Sequence, residues 1–77
     1  MRTVERIHPL TARQVEVVLL YGDGLSYADI CAQTGLAWRT VRNHLHTARQ
    51  RLRVHTSAQA AQVLKKRMRN AESQARA

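Results

Sequence analysis

Seventy-seven residues, 44% of them apolar, suffice for one small domain with a thin core. A single cysteine excludes an internal disulfide framework, and four histidines without a cysteine pair exclude a structural zinc site. The net charge of +8 is one-sided: residues 1–38 carry three arginines against four carboxylates, net −1, while residues 39–77 carry ten Lys/Arg against Glu72 alone, net +9. Such a field suits a polyanion, nucleic acid first of all.

Met1–Pro9 reads as a short polar lead with Val4 and Ile7 as anchors, and Pro9 precedes a helix start. Thr11 is the expected N-cap of the first helix, with Ala12, Val15, Val18 and Leu19 at helical spacing. Tyr21-Gly22-Asp23-Gly24 should end it, both glycines being free to take positive φ. Ser26 is a second N-cap, with Asp29 three residues on completing a capping box. Ile30 and Cys31 point inward with Leu25, and Gly35 makes the turn.

A third helix is predicted from about Trp38 to Arg53. Val41, Leu45, Ala48 and Leu52 step by four, three and four and form one buried stripe. The opposite face carries Arg39, Arg42, Asn43, His46, Arg49, Gln50 and Arg53, with no carboxylate. A fourth helix starts at Thr56 or Ser57 and runs to about Arg69, with Ala60, Ala61, Val63, Leu64 and Met68 apolar. The fold class is all-α: a small four-helix domain with a central helix-turn-helix. Residues 1–9 are the lead, 10–69 the domain, and 70–77 a polar tail expected to be disordered.

In such a unit the exposed face of the third helix enters the major groove. Arg42 offers a fork to guanine and Asn43 a pair of bonds to adenine, with Arg39 and His46 beside them as base contacts. Thr40, His44, Arg49 and Arg51 flank that face and meet phosphate oxygens. Ser26 and Tyr27 bring a helix N-terminus to the backbone, as the helix dipole favours. Trp38 is expected to pack half-buried under the turn, with the sugar-phosphate backbone as its alternative contact.

Blander roles account for most other features. Cys31 is a small residue in a tight helix crossing rather than a redox sensor. His44 and His46, two apart, point to different sides of a helix and make no metal site. Lys65-Lys66-Arg67-Met68-Arg69 suits a solvated helix C-terminus, with extra DNA contact as the alternative. The carboxylates show no paired geometry for acid–base work. There is no phosphate loop and no activated nucleophile, so neither an enzyme nor a cofactor is expected. The longest apolar run, Val17–Tyr21, is far short of a membrane span, and the N-terminus lacks an apolar signal core. A reduced, cytoplasmic, nucleoid-associated protein is expected. A membrane-active reading of Val63–Arg69 is a remote alternative.

Three stretches resemble the DNA-binding domain of the LuxR/GerE family: Leu10-Thr11-Ala12-Arg13-Gln14-Val15-Glu16-Val17-Val18, Gly24-Leu25-Ser26-Tyr27-Ala28-Asp29-Ile30-Cys31, and Thr40-Val41-Arg42-Asn43-His44. The likeness covers roughly residues 10–64. It implies a bacterial or phage regulator that binds double-stranded promoter DNA, often as a dimer through helix four. By position it makes Arg42, Asn43 and His46 base-facing, and makes Thr40, Val41, His44 and Arg51 backbone or thymine-methyl contacts. The expected dimer stripe is Ser57, Ala60, Ala61 and Leu64, a weak interface that DNA would hold together. Gln14, Cys31, Ala37, Ala48 and Ser57 stand where the family usually has Glu, Ala, Ser, a larger aliphatic and Arg. The change at Ser57 predicts a weaker link between helix four and the body.

Leu45-His46-Thr47-Ala48-Arg49-Gln50-Arg51-Leu52-Arg53 and Gly24-Leu25-Ser26-Tyr27 also resemble region four of extracytoplasmic-function sigma factors. That resemblance implies a module binding promoter DNA, RNA polymerase or an anti-sigma partner. Three features favour LuxR/GerE: the length of Val18–Gly24, His44, and a fourth helix after Leu52. The expectation is therefore a stand-alone, sequence-specific transcriptional regulator, since 77 residues leave no room for a receiver or ligand-binding domain.

Overall fold

The computed structural model describes residues 10–76. They form four α-helices: α1 Ala12–Gly22, α2 Tyr27–Thr34, α3 Trp38–Leu52 and α4 Ser57–Arg76. The lead, with Val4 and Ile7, lies outside the described residues.

Three of these helices begin with the same device. The Thr11 hydroxyl accepts from the Gln14 amide at 3.2 Å, and the Gln14 side chain accepts from the Thr11 amide at 3.0 Å. Ser26 and Asp29 exchange the same pair at 3.1 and 3.2 Å. Thr56 and Gln59 do so at 3.0 and 3.3 Å. Each box satisfies two amides that a helix start leaves without partners. Gln14 is also buried, so a neutral amide there makes the box bonds without burying a carboxylate. Only α3 starts bare: Ala37 offers no side-chain cap.

The helix ends follow from backbone geometry. Gly35, at φ +76°, closes α2, and Gly24, at φ +97°, turns the chain out of α1. Gly22 differs from expectation, remaining the last helical residue of α1. Its lack of a side chain serves close approach instead: a Cβ there would lie 2.6 Å from the Ala61 Cβ of α4. Arg53, at φ 59°, is left-handed, which ends α3 at Leu52.

The core joins Leu10, Val17 and Val18 with Ile30 from α2, Val41, Leu45, Ala48 and Leu52 from α3, and Ala60, Ala61 and Leu64 from α4. The α3 stripe is as the spacing predicts. On α1 the buried arc is rotated from the expected one: Val17 is fully enclosed, whereas Val15 and Leu19 are half-buried and Ala12 is exposed. The reason is that α1 packs against α3 on one side and α4 on the other. Asp23 pairs with Lys65, while Leu19, one turn earlier, shares a shallow groove with Met68 and Glu72. The two helices therefore run in opposite senses.

Two expectations for the C-terminal half are corrected. The segment from Asn70, taken as a disordered tail, continues α4 to Arg76. It contains no glycine or proline, and its Ala, Glu, Gln and Arg residues are good helix formers on a helix already nucleated upstream. The stripe expected to form a dimer interface is internal. Ser57, Ala60, Ala61 and Leu64 are all buried within this chain, so they present almost no surface to a second copy. The small side chains let α4 lie close on α1 at Gly22.

Candidate nucleic-acid interface

The turn between α2 and α3 fixes how α3 is presented. The Thr34 hydroxyl donates to the Ile30 carbonyl at 2.7 Å and accepts from the Leu36 amide at 3.2 Å, tying the strand of turn to the last turn of α2. Ile30 and Val41, both fully enclosed, lie in the core that the two helices share. With Val41, Leu45, Ala48 and Leu52 held inward, the rest of the α3 surface is determined by helical geometry.

Arg39, Arg42, Asn43, His46 and Gln50 follow one another at spacings of three, one, three and four on α3 and are all exposed, and exposed Arg53 follows at its C-cap. They form one continuous polar stripe. Thr40, His44 and Arg51 follow one flank, the first two half-buried and Arg51 exposed. Trp38 and Arg49 follow the other. α3 contains no carboxylate. The nearby acids are engaged elsewhere: Glu16 pairs with Arg13 at 2.9 Å, Asp23 with Lys65 at 3.2 Å, and Asp29 closes the α2 box. The field of this face is therefore positive along its whole length, as a phosphate backbone requires.

Some residues expected at the interface lie elsewhere. Val41 has no exposed surface, so it packs in the core and touches no backbone or thymine methyl. Arg49 turns sideways: its Nη1 donates to the Ser57 hydroxyl at 2.8 Å and its Nη2 to His46 Nδ1 at 3.3 Å. These bonds make it a strut between α3 and the first turn of α4. The same bond gives Ser57 a link between α4 and the body, with the arginine supplied from α3. Ser26 stays exposed, with its hydroxyl engaged in the α2 capping box.

The aromatic residues hold a relation that sequence reasoning missed. Tyr21 meets Tyr27 edge-on at 6.1 Å between ring centroids, and Tyr27 meets Trp38 at 5.3 Å, tilted by 46°. The Arg42 guanidinium carbon lies 5.6 Å from the Trp38 ring centroid. Trp38 rests half-buried against Tyr27, with 53% of its surface left exposed at the edge of the face. Its spacing from Arg42, four residues on one helix, is the one sequence signal for that contact.

Among the described residues no three His, Cys, Asp or Glu side chains gather to hold a metal, and no helix is long and apolar enough to cross a membrane.

A short helix and a longer one meeting across a glycine turn, the second presenting a basic face, with outer helices closing the core, define a helix-turn-helix module. Compared with models of protein families, residues 2–52 match sigma-70, region 4. The chain belongs to that family. It is the second of the two resemblances drawn from the sequence, not the LuxR/GerE one that three features favoured. The match stops at Leu52, the last residue of α3, so α4 lies beyond it. No curated protein and no solved structure matches the chain.

Proposed function

We propose that this chain is a promoter-binding module of the sigma region-four kind, which lays α3 in the major groove of duplex DNA. The observation that carries the reading is the exposed, carboxylate-free face of α3, held out by the α2–Gly35 turn. In this arrangement Arg42 and Asn43 read base edges, with Arg39 and His46 on the same stripe. Thr40, His44 and Arg51 line the flank that meets phosphate, and the N-terminus of α2 at Ser26 and Tyr27 adds backbone contact. RNA polymerase is the second partner that membership of the family supports.

A stand-alone regulator is the second reading, and one observation favours it. α4 closes the core with Ala60, Ala61 and Leu64, so the unit is packed without a neighbouring domain. The test is fluorescence anisotropy on a duplex recovered by binding-site selection, across a salt series, with and without core polymerase. Five or more phosphate contacts imply a log–log slope of roughly −4 to −5 or steeper. A flat salt response ends the nucleic-acid reading. Sequence preference without polymerase supports the stand-alone regulator; preference only with polymerase supports the sigma reading.

A further inference from the structure

Trp38 is a large aromatic side chain with more than half its surface in water, at the edge of a basic face. Burial does not explain it, since the core closes without it. Its contacts do suggest a role. On one side it rests on Tyr27, which in turn meets Tyr21, so rings from α1, α2 and α3 brace one another in series. At the free end of that series stands the guanidinium of Arg42.

We propose that Trp38 is a positioning residue: its indole, braced by Tyr27 and Tyr21, holds the Arg42 guanidinium in a reading position before DNA arrives. The inference rests on the reading of α3 as the base-contacting helix. A long arginine side chain in water samples many rotamers, and reading a guanine edge fixes one of them. A ring that already attracts the guanidinium removes part of that ordering from the binding step. The effect appears as discrimination at one base pair, because a mismatch there leaves the pre-set fork unpaired. Phosphate contacts made by other residues are untouched.

The experiment has one arm without DNA and one with it. In the free protein, the Arg42 side-chain protons should be shifted upfield by the indole ring current in NMR spectra. Trp38→Leu should return them to ordinary values, and Trp38→Phe should retain part of the shift. Circular dichroism of each variant checks that the helices are intact, as the exposure of Trp38 leads us to expect. With DNA, Trp38→Leu should lower discrimination at the base pair read by Arg42 about 2- to 5-fold, the size of an exposed cation–π contact. Trp38→Phe should restore part of it. In an Arg42→Ala background, Trp38→Leu should cost nothing further at that base pair. Equal losses in both backgrounds would make Trp38 an independent DNA contact and overturn the proposal. So would an Arg42 spectrum that is unchanged by Trp38→Leu. If Arg42→Ala alone leaves every duplex bound as before, the recognition-face reading itself fails and the positioning role with it. That outcome differs from the additive one, in which Arg42 matters and Trp38 acts apart from it.

Discussion

Gly22→Ala tests the closest approach in the fold. In an isolated helix this change would help, since glycine is about 0.8–1 kcal/mol worse than alanine in a helix interior, and less so at a last turn. Here the added Cβ would stand 2.6 Å from the Ala61 Cβ. Carbon atoms prefer a separation of about 3.5–4.0 Å, so α1 and α4 must part by roughly 1 Å at this point. Neither atom is the end of a flexible side chain, so the backbones themselves must move. Overpacking of this kind costs about 1–3 kcal/mol. Set against the propensity gain, the net is a destabilisation of about 1–2 kcal/mol. Thermal unfolding followed by circular dichroism reads this directly, because 1 kcal/mol moves Tm by about 4–8 °C in a domain of this size. Ala61→Gly in the same chain removes the opposing Cβ. The double variant should therefore lose less than the two single losses together, with a coupling of about 1–2 kcal/mol. If Gly22→Ala melts at or above the parent temperature, helix propensity outweighs contact and the α1–α4 crossing is not close.

Other outcomes follow from the same packing. Ala37→Ser should give α3 the cap it lacks and raise stability by about 1 kcal/mol; an unchanged urea midpoint would show that the bare α3 start is satisfied in another way. Leu64→Ala, in the enclosed centre of α4, should cost about 2–5 kcal/mol, whereas Met68→Ala, at a residue 38% exposed, should fall within about 0.5 kcal/mol of the parent. Similar losses at the two positions, measured by urea denaturation, would mean that the second half of α4 is as tightly packed as the first. On DNA, Arg42→Ala should cost about 1–3 kcal/mol at the preferred site and relax choice at one base pair, while Arg51→Ala weakens all duplexes alike. Indistinguishable profiles on a randomised duplex library would reject that division of roles.

Local chemistry by itself determined the four helices and most of their limits. Thr11, Ser26 and Thr56 cap three helix starts because a short oxygen side chain followed by Gln or Asp three residues later satisfies two amides, whatever surrounds it. Gly24 and Gly35 turn the chain because they alone enter the left-handed region without strain. The α3 stripe and its basic opposite face follow from spacing alone. What spacing does not encode is the identity of the surface that a stripe is buried against. Ser57, Ala60, Ala61 and Leu64 read equally well as a seam between two copies or as cover for the chain's own core, and only the crossing of α4 over Gly22 decided for the core. The extension of α4 was lost for a related reason: polar, uncapped sequence looks like a tail until a packed helix upstream has met the cost of nucleation. Tertiary structure also decided the fates of two side chains on α3. Arg49 went to the Ser57 hydroxyl, and Trp38 to the edge of the interface against Tyr27. Residues close in sequence announce a helix face, but the partners of a side chain lie on other helices, and their distance is set by the packing of the whole domain.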